Sequence, residues 1–408
     1  MDHEEEEALL RVCRSHSLFR YYGPKPQHEV RQFEAEFAEF TGAKYALAVT
    51  SGTAALHTAL SALRVGPGQE IIIPAFLWIS VASAVVNLGA IPVVAEIDDS
   101  LGLDASDVLR KITPRTSGII CVHMCGAPAD VIPLVKLARA KNLFLVEDCA
   151  QCVGGSIHGQ RVGTFGDIAI FSFQLNKNMS AGEGGAVVTN NAALHRRAIA
   201  VHDVGLARDE ADELLPSDLE SFSWNRGYRL DELRAAVLRV QLRKLPATIA
   251  RLRESKYRIV AAIIGGSGHV GRRVTDRSGD TGSFLVTIFP TEAKARRVNE
   301  RLRWHGIYCS TEASSNTLLV DYGMHIYCNI RGLVEKIGTD RSGTPWTLEA
   351  NRNSNYSYQL GACPQSDDLF RRSVMLTIPS SLTRADEQDV IDAYRDAMED
   401  AEFLLCAP

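Results

Sequence analysis

Short apolar runs alternate with longer segments of helical periodicity from about residue 28 to 205, and this alternation constrains the fold more than any other feature of the sequence. Several runs are continuously apolar, as strands buried on both faces are. Strands that alternate with helices predict a mainly parallel sheet covered by helices, and therefore an α/β fold. The predicted strands are YALAVT, EIIIP, PVVAEID, GIICVHM, LFLVED, DIAIFSF and GAVVT.

The length of the chain indicates more than one domain. Its 408 residues exceed the size at which a single hydrophobic core keeps growing. A long helical stretch that starts near DELRAAVLRVQL, and that Pro246 is expected to interrupt, marks the passage out of the sheet region. We therefore predict a large domain over residues 1–250 and a smaller C-terminal α+β domain over residues 251–408.

Composition and charge narrow the class of function. The chain is 46% hydrophobic and 23% charged, with a formal net charge of −5, which argues against a general affinity for nucleic acid or anionic membranes. No run approaches the ~20 apolar residues of a spanning helix, and the start, MDHEEEEALL, is acidic where a signal peptide would be basic. We expect a cytoplasmic protein with a small-molecule substrate.

Two closely spaced cysteine pairs raise the question of a metal site. Cys121 and Cys125, and Cys149 and Cys152, could together form a four-cysteine zinc site. Each pair ends an apolar, strand-like run, where buried free cysteine commonly serves as a small hydrophobic residue. The second interpretation is favoured, so we expect reduced thiols and no metal.

Lys177 stands among uncharged neighbours in the stretch FSFQLNKNMSAGEGGAVVT. Burial without a carboxylate partner lowers the pKa of an ammonium group and makes the amine a nucleophile towards aldehydes. Because it follows a predicted strand, Lys177 would lie at a sheet edge, where open α/β folds bind ligands. It could hold an aldehyde as a Schiff base; the alternative is an ordinary lysine on a surface loop.

Asp148 ends the apolar run LFLVED. A carboxylate at that position costs free energy unless a cation or a strong hydrogen-bond donor meets it. A protonated ring nitrogen is one such cation, and a helix cap or a metal are the alternatives. With Lys177 nearby in the predicted sheet, the ring nitrogen is favoured.

The stretch VTSGTAAL joins a strand to a helix that opens at about Thr53. Backbone amides and the positive end of the helix dipole then favour a phosphate, although Ser-Gly-Thr is also a common helix N-cap. Ser172 could add a hydroxyl to this site. Trp78 follows another strand end and could stack on a planar cofactor, although a tryptophan is more often part of a core.

These features match the aldehyde, ring nitrogen, phosphate and ring faces of pyridoxal 5′-phosphate. The ordered motifs SGTAAL, PAFLW, VEDCAQ, FSFQLNKNMSAGEGG and YRLDELRAAVLRVQL resemble those of the DegT/DnrJ/StrS sugar aminotransferases over roughly residues 20 to 260. The resemblance implies the aspartate aminotransferase fold (fold type I), with a mixed, mainly parallel sheet.

The resemblance also assigns roles to single residues. Lys177 would be the Schiff-base lysine and proton shuttle, Asp148 the partner of the ring nitrogen, and Gln151 the partner of the ring's phenolic oxygen. It implies that the remaining cofactor contacts come from Gly52, Thr53 and Ser172 at the phosphate and Trp78 over the ring.

The resemblance implies a homodimer with the active site at the subunit interface, in which a loop of one subunit reaches the phosphate bound by the other. That loop here reads NRGYRLDEL and contributes Asn225 and Arg229. Gly227 stands where the family usually has asparagine, and Gln174 where many members have histidine, so the sequence departs from the family pattern at both positions.

The implied reaction is a two-stage transamination from L-glutamate or L-glutamine to a keto or aldehyde sugar, expected to be nucleotide-linked. A keto-cyclitol acceptor is an alternative, as are a sugar dehydratase, in which histidine replaces the lysine, and a non-catalytic protein that binds pyridoxal phosphate. Residues 310–365 are expected to line the acceptor site.

Overall fold

A seven-stranded mixed sheet forms the centre of the protein. The computed structural model describes residues 1–209, 211–224, 226–264, 269–307 and 316–403. The sheet has the order β1-β9-β8-β5-β4-β2-β3, and β9 alone runs against the other six strands. All seven predicted strands occur, at Tyr45–Val49 (β1), Glu70–Pro74 (β2), Ile91–Ala95 (β3), Thr116–Val122 (β4), Phe144–Asp148 (β5), Ile168–Ser172 (β8) and Gly185–Thr189 (β9). A small hairpin adds Ser156–Ile157 (β6) and Gln160–Arg161 (β7).

Helices cover both faces of this sheet. Successive strand residues point to opposite faces, so Leu47 and Val49 pack into one apolar core while Ala46 and Ala48 pack into another. The first face is covered by Gly52–Ala62 (α3), Ile79–Asn87 (α4) and Ala192–His202 (α7), and the second by Glu29–Thr41 (α2), Ala105–Lys111 (α5), Val131–Lys141 (α6) and the long helix Glu232–Ile263 (α8). His3–Ser15 (α1) packs against α8.

The helix α8 differs from the prediction at Pro246. The helix was expected to be interrupted there, but it continues through the proline from Glu232 to Ile263. A proline inside a helix costs about 3 kcal/mol because it removes one hydrogen bond and crowds the preceding turn. Burial of Leu242, Leu245 and Ile249 against the sheet core offsets that cost. No helix in the described part of the chain is long and apolar enough to cross a membrane.

A second, four-stranded sheet follows α8. Its order is β10-β11-β13-β12 and every neighbouring pair is antiparallel. It consists of Val270–Gly271 (β10), Phe284–Ile288 (β11), Asn316–Leu318 (β12) and Ser373–Thr377 (β13). The helices Glu292–Trp304 (α9), Pro364–Arg372 (α11) and Arg384–Phe403 (α12) accompany it, whereas the short helix Arg331–Val334 (α10) packs into the core of the main sheet. α9 and α12 pack on each other and share an apolar core with β11 and β13.

Residues 319–330, which we call the bridging segment, consist of three short 3₁₀ turns that return to the main sheet. Ile326 pairs with Phe76, just beyond β2, and the Leu77 amide donates to the carbonyl of His325 at 3.0 Å. Further along, the hydroxyl of Tyr358 donates to the Pro92 carbonyl at 2.7 Å. This part of the chain therefore shares the apolar core of α3 and α4. The division at residue 250 stays a prediction.

Candidate active site

A cavity of about 1140 Å³ opens at the carboxyl end of the main sheet. The strands β1, β2, β5 and β8 run in the same direction, so the loops that follow them meet at one edge, where α/β sheets bind ligands. Seven residues singled out from the sequence line this cavity together: Gly52, Thr53, Trp78, Asp148, Gln151, Ser172 and Lys177.

Lys177 lies in the tight loop that follows β8. The loop is closed by hydrogen bonds from the Lys177 amide to the Gln174 carbonyl (2.9 Å) and from the Leu175 amide to the Gly182 carbonyl (3.1 Å). The amine of Lys177 has no hydrogen-bond or ion-pair partner among the described residues. Burial lowers the pKa of this amine, and the charge of Asp148 opposes the effect. The amine is thus oriented and is neutral more often than that of a surface lysine.

Asp148 is the last residue of β5 and is only 4% exposed. Its Oδ1 accepts a hydrogen bond of 2.9 Å from the Ala150 amide, and no cation forms an ion pair with it in the described chain. Burial raises the pKa of the carboxyl, while the Ala150 amide and the charge of Lys177 oppose that rise. A buried carboxylate without a salt bridge favours a cationic group placed in the cavity.

The N-terminus of α3 forms a narrow anion cradle. Ser51 caps the helix, because its Oγ accepts from the Ala54 amide at 3.1 Å. The amides of Gly52 and Thr53 have no internal acceptor among the described residues. A Cβ atom at Gly52 would lie 2.7 Å from the Cβ of Ser172, so only glycine fits beside that serine. Two free amides at a helix N-terminus suit a phosphate.

Trp78 lies at the wall of the cavity with 41% of its surface exposed, so it is not a core tryptophan. Its ring contacts that of His325, with ring centroids 4.7 Å apart. A half-exposed aromatic face in the cavity can stack on a planar ligand.

The bridging segment brings two further aromatic side chains to the cavity that the sequence did not single out, Tyr322 and His325. Their rings are stacked, with centroids 3.8 Å apart and planes 7° apart. Nδ1 of His325 lies 3.1 Å from the Tyr322 carbonyl oxygen. Burial lowers the pKa of His325 to about 4, so the ring is neutral. No periodicity marks this stretch, and only its aromatic content hinted at a ligand.

One charged residue at the rim was also missed. Arg234 lies in the first turn of α8 and lines the cavity, with Nη1 3.4 Å from Oδ2 of Asp231. Among the described residues, Arg234 and Lys177 are the arginine and the lysine that line the cavity.

Of the two loop residues predicted to serve the partner subunit, the structure describes Arg229, which does not line this cavity. Arg229 forms an ion pair with Asp203, Nη1 to Oδ1 at 2.8 Å, and lies over the ring of Phe19 at 5.6 Å. Asn225 lies outside the described residues. A phosphate contact by either residue stays a prediction.

The four cysteines of the zinc alternative are buried and free. Burial raises the pKa of each thiol, to about 11 at Cys125, which opposes the thiolate that zinc needs. The group of possible metal ligands found among the described residues is instead His123, Glu147 and Cys149.

Hydrogen bonds already occupy that group. Glu147 accepts from the amides of Gly163, Phe165 and Gly166 and lies 3.1 Å from Nε2 of His123. Nδ1 of His123 accepts from the Ala129 amide at 3.0 Å, so Nε2 carries the proton that it donates to Glu147. The arrangement is that of a satisfied structural pair.

Comparison with known proteins identifies the family and the fold. The model of the DegT/DnrJ/EryC1/StrS aminotransferase family matches residues 1–312. The chain is 39% identical over 226 residues (55% of its length) to the GDP-perosamine synthase of Escherichia coli O157:H7. It is 36% identical over 311 residues (74% of its length) to the 3-amino-5-hydroxybenzoate synthase of Amycolatopsis mediterranei.

The matched regions span 60% of the first relative and 76% of the second. Over whole chains, the structure is similar to that of an aminotransferase from Psychrobacter cryohalolentis, with a TM-score of 0.79, 26% identity and 98% of each chain covered. The predicted α/β class is confirmed, with the aminotransferase fold.

Proposed function

The chain belongs to the DegT/DnrJ/EryC1/StrS aminotransferase family, and on that premise we propose that it is a pyridoxal-phosphate-dependent aminotransferase. It would move an amino group from L-glutamate or L-glutamine to a keto or aldehyde sugar, nucleotide-activated, in the biosynthesis of an amino sugar or antibiotic. The observation that carries this proposal is the unpaired amine of Lys177 beside the buried, unpaired carboxylate of Asp148 in one cavity.

The residues present fit pyridoxal phosphate. The free amides of Gly52 and Thr53, beside the Ser172 hydroxyl, can hold its phosphate, and the close approach at Gly52 leaves no room for a side chain there. Asp148 offers the charge that a protonated ring nitrogen needs, and Trp78 an aromatic face. The phosphate, the ring nitrogen and the ring face of the cofactor thus each correspond to a group named here.

The cofactor, when bound, supplies an electron sink for the amine and ketone carbons of the two substrates. Lys177 acts as general base and acid: its amine takes the proton from the α-carbon of the donor and returns a proton to the acceptor carbon. Its lowered pKa favours the neutral amine, the form that a base requires, relative to a surface lysine. The buried carboxylate of Asp148 would keep the ring nitrogen protonated.

Arg234 supports anionic substrates. A glutamate donor carries carboxylates and a nucleotide-linked sugar carries phosphates, and a guanidinium at the cavity rim binds either group. Its partner Asp231 is at 3.4 Å and half-exposed, a weak pairing that an anion can compete with.

A carbocyclic acceptor such as a keto-cyclitol is a second candidate. One relative is named for the formation of an aminohydroxybenzoate, whose amino group is on a carbon ring, and another for the formation of a GDP-linked amino sugar. The aromatic rings of Tyr322, His325 and Trp78 at the cavity suit either kind of ring.

The working form is a cytoplasmic homodimer. The segment that precedes Arg229 exposes large apolar side chains, with Trp224 85% and Leu219 76% exposed, and Phe222 packs edge-on to Trp224 at 5.5 Å. A monomeric protein rarely leaves such a cluster in water, so a second copy of the chain is its natural partner. The same contact would bring Arg229 to the partner's phosphate.

The test is steady-state transamination. Glutamate or glutamine is supplied as donor with a panel of keto nucleotide sugars and keto-cyclitols, and keto-acid release is measured for each pair. Keto-acid release that requires both a donor and one of these acceptors supports the proposal. If a dehydrated sugar forms without consumption of a donor, the proposal is wrong.

A further inference from the structure

Two side chains and two backbone groups form a continuous hydrogen-bonded chain along one wall of the cavity. The Cys125 amide lies 3.0 Å from Oε1 of Gln151, and Nε2 of Gln151 lies 3.4 Å from Nε2 of His325. Nδ1 of His325 lies 3.1 Å from the Tyr322 carbonyl oxygen. The chain thus links the loop after β4, the loop after β5 and the bridging segment.

The two ends of this chain fix its direction. A backbone amide can only donate, so Oε1 of Gln151 must face Cys125 and the NH₂ group must face His325. A carbonyl oxygen can only accept, so the proton of His325 is on Nδ1 and the lone pair is on Nε2. Each member donates to the next, from Cys125 through Gln151 and His325 to Tyr322.

The imidazole ring is held firmly in this position. The ring is stacked on that of Tyr322, with centroids 3.8 Å apart, and contacts that of Trp78, with centroids 4.7 Å apart. The backbone carbonyl of His325 accepts a hydrogen bond from the Leu77 amide at 3.0 Å. Burial lowers its pKa to about 4, so Nε2 keeps its lone pair at neutral pH. The ring therefore presents a fixed acceptor to Gln151.

We propose that His325 is a positioning residue that turns the NH₂ group of Gln151 into the cavity, where its second N–H donates to the phenolic oxygen of the bound cofactor. If the carboxamide were turned over, Oε1 would face that oxygen and repel it. The inference rests on the proposed function for the identity of the ring, and on the structure alone for the orientation of the amide.

The titratable groups that face this wall are Asp148, Lys177, Cys125 and Tyr322, together with His325 itself. Burial raises the pKa of Cys125 to about 11 and that of Tyr322 still higher, so neither changes charge at neutral pH. A pH-dependent colour change of the lysine-bound cofactor therefore reports the proton that it shares with Lys177. A donor to the phenolic oxygen stabilises the negative charge there and lowers the midpoint of that change.

The experiment compares two substitutions of matched design. His325→Phe keeps an aromatic ring for Tyr322 and Trp78 to pack on but removes the acceptor, whereas His325→Gln removes the ring but keeps an acceptor. We expect His325→Phe to raise the midpoint of the visible spectral titration by about one pH unit. His325→Gln should restore the wild-type midpoint.

A purely structural role would give the reverse order, with His325→Gln the more perturbed variant, and that result would overturn the inference. An unchanged midpoint in His325→Phe would also overturn it. If the wild type binds the cofactor without a visible band, the proposed function fails instead. Should either variant fold poorly, ¹⁵N NMR of labelled wild-type apoprotein decides: a proton on Nδ1 of His325 is expected, and a proton on Nε2 contradicts the inference.

Discussion

The edge of the main sheet and the bridging segment line the same cavity but are built differently. At the sheet edge, Gly52, Asp148 and Lys177 follow strands whose direction and register fix where each loop begins. In the bridging segment, Tyr322 and His325 are held by three successive short turns and by contacts with Phe76 and Leu77. A site can thus combine a part determined by local sequence with a part determined by tertiary packing. We expect the first part to contact the cofactor, and the second to contact the acceptor and to act on the cofactor only through Gln151.

The largest effect should come from Lys177→Ala. Removal of the amine takes away the general base and acid of both half-reactions, and we expect at least a ~10³-fold loss of keto-acid formation from glutamate. Lys136→Ala, at an exposed position of α6, is the control and should leave the rate unchanged. A variant that keeps a tenth of the wild-type rate would show that another group moves the proton.

Asp148→Asn should separate function from stability. The amide cannot hold a charged ring nitrogen, so we expect a rate loss of about 10²-fold or more. Because burial raises the folded-state pKa of Asp148, the apoprotein loses stability as pH rises through that pKa. The variant apoprotein should therefore gain about 1 kcal/mol in free energy of unfolding at neutral pH.

Urea unfolding of the apoproteins across pH measures this gain. Asp389→Asn, at an exposed position of α12, is the control and should change neither quantity. Equal stability of wild type and Asp148→Asn at every pH would show that the carboxylate has a cationic partner already.

Gly52→Ala tests whether the cradle is as narrow as the contact with Ser172 implies. The added methyl group would lie 2.7 Å from the Ser172 side chain, and displacement of either group should weaken cofactor binding by about 10- to 100-fold. Gly332→Ala, where a methyl group meets no atom within 4 Å, belongs to the region beyond the bridging segment and should bind normally. Cofactor titration followed by fluorescence distinguishes them; equal affinities would contradict the cradle.

Arg234→Gln examines the rim between the two regions. Loss of the guanidinium should raise KM for an anionic substrate by about tenfold and leave cofactor affinity unchanged. Arg243→Gln is the matched control on the same helix, because that exposed side chain lies outside the cavity and contacts only Glu4 at 3.5 Å and the Arg239 carbonyl at 3.4 Å in the described chain. An unchanged KM for both donor and acceptor would remove Arg234 from substrate recognition.

The smallest effect is expected for Tyr322→Phe in the bridging segment. The variant keeps the ring that stacks on His325 and removes only the hydroxyl that lines the cavity. KM for the acceptor should rise by about three- to tenfold, while the half-reaction with the donor should be unchanged. Single-turnover and steady-state kinetics separate the two. A slower donor half-reaction would show that the Tyr322 hydroxyl also serves the cofactor.

The difference between the sheet edge and the bridging segment also explains which parts of the site could be predicted from the sequence. The seven strands were recognised because buried strands are continuously apolar, and the polar residues that end them then fall at one edge. Lys177 and Asp148 were conspicuous because each is a charge next to an apolar run. Gly52 and Thr53 could be placed at a helix N-terminus because the stretch VTSGTAAL joins a predicted strand to a predicted helix.

Other parts depend on contacts between distant segments. Pro246 was expected to interrupt α8. The helix continues through it because burial against the sheet core outweighs the low helix propensity of proline. His325 reaches Gln151 because the neighbouring residue Ile326 pairs with Phe76, which lies far earlier in the chain. No local pattern encodes such a contact. The predicted roles of Asn225 and Arg229 would depend on a second subunit.

The proposal that Lys177 binds pyridoxal phosphate and takes part in transamination is tested most directly by locating the lysine that binds the cofactor. The purified protein is loaded with pyridoxal phosphate, reduced with borohydride and mapped by peptide mass spectrometry, before and after exposure to glutamate or glutamine. We expect reduction to fix the cofactor on Lys177, and the donor to abolish this labelling in the loaded enzyme. Labelling of another lysine, or labelling of Lys177 that neither donor reduces, would contradict it.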